Sequence, residues 1–206
     1  MWAGIRQAQL SAASLPMVGF STNADRAQGC DVHPPAKQDC ARRLAHSALG
    51  LVYKNPSIAW RSPTFKSQAA ADDGSVTITL KDVSAEGLHE LFPWNYHGAP
   101  GVYFNGSDRS PGAITPLPLF DCAAQDKAGP GTCAWAAVQT SSGDWVNATI
   151  TMKGKTVTFT PKTSCAIWKR VCAARGTAYA WGSVPMMSLY DAGTHLPVIG
   201  WNTSVP

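Results

Sequence analysis

The order of apolar and polar positions divides the chain into a helical front and a strand-rich remainder. Over residues 1–14, Trp2, Ile5, Ala8 and Gln9 fall near one face at helical spacing, and Leu15-Pro16 stops the run. Met17-Val18-Gly19-Phe20-Ser21 is a short apolar run that predicts a strand. A polar stretch from Asn23 to Pro35 leads to the best helix, Ala36 to Tyr53. In it Cys40, Leu44, Ala48, Leu51 and Val52 recur at helical spacing, with Lys37, Arg42 and Arg43 largely on the other side. This is the pattern of a helix that turns its apolar face to a core. Asn55-Pro56 ends it, because proline disfavours a helical residue before it.

After Pro56 the period changes. Ser75-Val-Thr-Ile-Thr-Leu-Lys81 alternates apolar and polar residues, as a half-buried strand does. Trp145 to Met152 and Lys155 to Thr160 do the same on either side of Lys153-Gly154, a hairpin-like turn. Thr177-Ala-Tyr-Ala-Trp181 predicts another strand, and a short helical turn is expected near Ser84–Leu91. The sequence therefore reads as an α/β piece over residues 1–55 followed by a β-rich accessory domain over residues 56–206.

Composition narrows the classes. With 45% hydrophobic and 15% charged residues, the 206-residue chain can bury a real core. Mean hydropathy is -0.10, and no apolar run approaches the ~20 residues that cross a bilayer, so no membrane span is expected. Net charge is +4 without a Lys/Arg stripe, which argues against nucleic acid as a partner.

Six cysteines form three close pairs: Cys30/Cys40, Cys122/Cys133 and Cys165/Cys172. An even count in near-neighbour pairs predicts local disulfides in an oxidising compartment, with free buried thiols as the alternative. None of the pairs has CxxC spacing and none has histidines beside it in a ligand pattern, so no metal is expected. Three Asn-x-Ser/Thr sequons, at Asn105, Asn147 and Asn202, agree with a secreted or lysosomal glycoprotein. The start, Met1-Trp-Ala-Gly-Ile-Arg, lacks the basic and apolar regions of a signal peptide. Either an export signal has been removed, or these residues belong to the tail of a longer protein.

The chemistry concentrates in Gly29-Cys30-Asp31-Val32-His33-Pro34, between a predicted strand and a helix. That layout suits the basic half of a Ser-His-Asp site. The histidine removes the nucleophile's proton, and the aspartate holds its tautomer and stabilises the imidazolium. The other histidines have plainer readings. His46 packs on the helix or faces solvent, His89 and His97 flank the aromatic cluster Phe92–Tyr96, and His195 sits in an exposed turn.

Asp31-Val-His-Pro-Pro-Ala-Lys-Gln38, Arg42-Arg-Leu-Ala45 and Ala48-Leu-Gly-Leu-Val-Tyr53 resemble the last catalytic block of sialate O-acetylesterases, carbohydrate esterases of the SGNH hydrolase superfamily. Ile5-Arg-Gln-Ala-Gln9 resembles that family's preceding helix. Ala178-Tyr-Ala-Trp181, Pro185, Leu189-Tyr190 and Leu196-Pro-Val-Ile199 are similar to its closing strand and tail. The resemblance implies that residues 1–55 are the C-terminal strand-loop-helix piece of an SGNH-type α/β/α catalytic domain. It implies removal of acetyl groups from sugar hydroxyls, with O-acetylated carbohydrate as substrate and no cofactor. His33 would be the general base and Asp31 its orienting acid, with Asp25 as a competing orienter.

The family carries its nucleophilic serine and oxyanion-hole residues in blocks upstream of the histidine, and 206 residues with His33 so near the start leave no room for them. The isolated chain is therefore expected to be inactive, its partner being the missing N-terminal catalytic segment. Two readings of other classes stand beside this one: a non-catalytic carbohydrate-binding module using Phe92–Tyr96, and an inert truncated fragment.

Overall fold

Residues 2–26, 37–90, 136–162, 173–182 and 187–205 are described by the structure, a computed structural model. Helices occupy the front of the chain. Helix α1 (Trp2–Ser11) runs into a 3-10 turn, Ala12–Ser14, and a second 3-10 turn covers Ala24–Arg26. Helix α2 (Lys37–Leu51) follows. Asp39 lies in its first turn, where a carboxylate complements the helix dipole. Beyond its end Lys54 takes a left-handed conformation (φ 55°).

Among the described residues nine strands follow: β1 (Thr64–Ala70), β2 (Val76–Lys81), β3 (Leu88–Glu90), β4 (Ala136–Gln139), β5 (Trp145–Lys153), β6 (Thr156–Pro161), β7 (Gly176–Tyr179), β8 (Leu189–Asp191) and β9 (Trp201–Ser204). Seven form one antiparallel sheet in the order β1-β2-β6-β5-β4-β7-β9, and β3 pairs with β8. The alternation expected over residues 75–81 appears directly. Val76, Ile78 and Leu80 are buried, and Thr77 and Lys81 are exposed. The β5–β6 turn closes at Gly154 with φ 57°, a conformation that costs glycine little. The turn expected near Ser84–Leu91 is a tight one, with Gly87 N–H donating to Ser84 O, and it leads into strand β3 rather than a helix.

The sheet curls until its two edges nearly meet. Trp201 on β9 packs on Phe159, Tyr179 and Phe65, the last from β1 at the opposite edge. A polar relay seals the seam. Trp201 Nε1 donates to Thr177 Oγ1 (3.0 Å), and Thr177 donates to Gln68 Oε1. Gln68 Nε2 in turn donates to Ser204 O (2.7 Å). Thus one β1 glutamine satisfies carbonyl groups of β9 that a closing strand would otherwise pair. Val76, Ile78, Val138, Val157, Phe159, Leu189 and Val198 fill the interior.

Three expectations are corrected. Residues 18–23 form no strand. They pass beside α2, where a Cβ at Gly19 would stand 2.1 Å from Ser47 Oγ. A lone apolar run becomes a strand only where a sheet edge can take its hydrogen bonds, and here a helix occupies its flank. The inward face of α2 is also the opposite of the expected one. Asp39, Arg43 and Ser47 are buried, while Leu44 and Val52 are exposed. Helix α1 behaves alike: Ala3 is buried and Ile5 and Ala8 are exposed. The physical reason is the polar bonding described next. The third concerns Cys40, which holds a free thiol that accepts a hydrogen bond from Asn23 Nδ2 at 2.8 Å instead of a bridge to Cys30.

Candidate active site

Asp31 and His33 lie outside the described residues, as do Cys30, Cys122, Cys133, Cys165, Cys172, Asn105, His97 and Phe92–Tyr96. What the structure describes is how the chain is held on either side of residues 27–36. Asp25 precedes that segment, and α2 follows it. Arg43 from the second turn of α2 reaches back and binds Asp25 in a bidentate pair. Nη1 meets Oδ1 and Nη2 meets Oδ2, both at 2.7 Å. Nη1 also donates to Thr22 O at 2.7 Å. Tyr190 on β8 adds its hydroxyl to Asp25 Oδ2 at 3.3 Å.

The pair is fully enclosed, with side-chain exposures of 6% for Arg43 and 0% for Asp25. Burial disfavours the Arg43 charge, but the hydrogen bond and charge of Asp25 outweigh it and hold the guanidinium above its usual range. The fork geometry uses both carboxylate oxygens at once. Asp25, the competing orienter, is therefore the strut that ties the front of the chain to α2 and to the β3–β8 pair. Sequence reasoning missed this role, since an Asp and an Arg eighteen residues apart carry no spacing signal.

Helix α1 is fastened separately. Arg6 Nη2 donates to Gly182 O at 2.8 Å, beyond β7. Its surroundings form a small recess lined by Ala3, Leu10, Phe20, Met187 and Ile199. Burial lowers the Arg6 pKa.

Beside Tyr190 stands a second cluster that the sequence had given bland readings. His89 on β3 lies across from Tyr190, and its ring stacks on that of His195, with centroids 5.7 Å apart. The Nε2 atom of His89 is buried and has no hydrogen-bond partner among the described residues. Burial and the neighbouring His195 lower the His89 pKa, against a smaller opposite pull from Asp191. His195 is exposed, as its turn position suggested, with φ 56°. Asp191 accepts the N–H groups of Ser84 (2.7 Å), Gly193 (3.1 Å) and Thr194 (2.7 Å). Burial pushes its carboxyl up, but the bonds from Ser84 and Thr194 prevail and hold it below the usual carboxylate range. Among the described residues, no group of three or more His, Cys, Asp or Glu could hold a metal ion. Nor is any described helix long and apolar enough to cross a membrane.

The architecture is that of two helices, tied through Arg6 and Arg43 to the rest of the chain, beside a nearly closed antiparallel sheet. It matches the crystal structure of a carbohydrate acetylesterase from Xanthomonas citri with a TM-score of 0.66 at 20% sequence identity. The match covers 98% of this chain and 36% of that one, so the chain spans about a third of that enzyme's length. No protein-family model matches the sequence, and no curated protein does.

Proposed function

We propose that this chain is the part of a carbohydrate esterase that carries the general base, His33, with Asp31 as its orienting acid. The reading rests chiefly on the fold shared with a carbohydrate acetylesterase. The Arg43–Asp25–Tyr190 strut supports it, because it joins Asp25, just before residues 27–36, to α2, which follows them, and to β8. A catalytic histidine must be held within a fraction of an ångström, which a tied segment permits. Asp31 is favoured over Asp25 because Arg43 already engages both Asp25 oxygens.

In this reading residues 1–55 complete an SGNH-type catalytic domain, and residues 56–206 are its accessory domain. The nucleophilic serine and the oxyanion hole come from polypeptide outside these 206 residues. His33 takes the serine proton as the oxygen attacks the acetyl carbonyl carbon. The tetrahedral intermediate collapses, and His33 returns the proton to the departing sugar hydroxyl. Water then repeats the cycle and releases acetate. O-acetylated sialic acids are the proposed substrates. The protein is proposed to be secreted or lysosomal. The exposure of Asn147 and Asn202 suits glycosylation there, and bridges are proposed within Cys122/Cys133 and Cys165/Cys172.

The test is acetate release from O-acetylated sialoglycans by this chain joined to the polypeptide encoded upstream of it. His33→Ala should lower turnover by ~10⁴-fold, since serine is a poor nucleophile without its base. Near-normal turnover by a folded His33→Ala protein overturns the assignment.

A further inference from the structure

Helix α2 is amphipathic in the reverse sense. The side turned to the rest of the molecule carries Asp39, Arg43 and Ser47, all buried. The side turned to solvent carries Ala41, Leu44, Ala45, Ala48, Leu49 and Val52, all exposed. Leu44 and Val52 stand 52% and 49% exposed, so the face is open along three turns. Met17 is exposed as well, in the segment that precedes α2. It is 58% exposed and lies two residues from Gly19, which abuts Ser47 and Leu51 of α2. Helix α1 repeats the reversal, holding the β-rich part through Arg6 and leaving Ile5 in solvent.

An apolar helical stripe normally faces a core. Two successive helices that anchor themselves by arginines, Arg43 buried and Arg6 half-buried, and leave apolar side chains outside are built to be covered on both sides. Three alanines in the middle of the α2 stripe leave it flat, so another backbone can approach closely. At the N-terminal rim Lys37 is exposed, and Arg42 is exposed but paired with Asp39 at 2.9 Å.

We infer that this face of α2 is the docking surface for the remaining part of the esterase, which meets it with an apolar sheet or helix face. The occupant follows from the size relation: the matched carbohydrate acetylesterase is nearly three times as long as the part this chain covers, while the chain itself is 98% covered. The inference rests on the esterase reading for the identity of the partner, and on burial alone for the place.

The experiment uses the polypeptide encoded in frame immediately upstream of these 206 residues, expressed as a separate tagged chain. Sizing with light scattering should give an equimolar complex. Leu44→Glu/Val52→Glu should weaken it about tenfold or more, because each carboxylate would be buried unpaired. Thr151→Glu, at an exposed position on β5, should leave it unchanged. Circular dichroism should show both variants folded. The docking face is overturned if no such polypeptide is encoded, if no complex forms, or if Leu44→Glu/Val52→Glu binds like the parent. It is overturned also if the chain alone is a dimer that those changes dissociate, since a second copy is then the occupant. Acetylesterase activity is read separately. A complex that forms but releases no acetate removes the esterase reading and keeps the face. Activity unaffected by Leu44→Glu/Val52→Glu removes the face and keeps the reading.

Discussion

At the residue scale the buried Arg43–Asp25 pair and Asp191 carry the clearest consequences. Removing one member of a buried ion pair leaves an uncompensated charge and costs about 3–5 kcal/mol. Arg43→Met should therefore destabilise the protein by about that much in urea unfolding, since it leaves the buried Asp25 carboxylate without the guanidinium charge. Arg43→Met with Asp25→Leu should recover part of the loss, because a paired charge replaced by packed apolar groups is often tolerated. Asp191 behaves differently, as its partners are backbone N–H groups. Asp191→Asn would point an amide N–H₂ or a single oxygen at three donors and should cost about 1.5–3 kcal/mol. Its carboxyl is held below the ordinary value, so the stability it adds is full above about pH 3.9 and lost as pH falls through the lower folded value. His89 adds to the same trend at higher pH. Its folded pKa is lowered, so stability is full above about 6.5 and falls as pH drops from there toward the folded value. Thermal unfolding followed from pH 7 to pH 4 should show a falling midpoint, and His89→Gln should flatten the upper part of that fall.

At the element scale the seam between β1 and β9 and the end of β7 decide whether the sheet stays curled. Gln68→Ala should loosen the seam without unfolding the sheet, because the strands on either side keep their ladders. Amide exchange of β9 should rise in that variant, while β2 and β6 stay protected. Gly200 tests the other side. A Cβ there would stand 2.8 Å from Tyr179 O and 2.9 Å from Ala180 O, both backbone atoms that cannot swing aside. Gly200→Ala should cost about 1–3 kcal/mol by forcing β9 away from β7. Urea unfolding measures this directly.

At the scale of the whole molecule, the helices stand between a finished β-rich part and an uncovered apolar face. The chain by itself should not hydrolyse an aryl acetate above the rate of its own His33→Ala variant. A histidine without nucleophile and oxyanion hole supplies only ~10²-fold general-base assistance. Turnover abolished by a single Ser→Ala change within the 206 residues would show that the nucleophile is here after all.

Local patterning was enough to read strands β2, β5, β6 and β7 and both helices, because alternation and helical spacing act over neighbouring residues. Strands β3 and β8 are three residues long, too short for periodicity to mark them. The motif around Asp31 and His33 stands in the sequence as a pattern of residue types, and both residues lie outside the described ones. The partner of Asp25 was not: the Arg43 guanidinium and the Tyr190 hydroxyl arrive from distant parts of the chain, and nothing local announces them. Nor could spacing say which face of α2 turns inward. Periodicity locates an apolar stripe, but its orientation depends on the neighbour. Here the carboxylate of Asp25 and the carbonyl of Thr22 need Arg43 more than the core needs Leu44. A buried charge must be paired, whereas an apolar face can wait for a partner, so the tertiary structure set α2 with its polar side in.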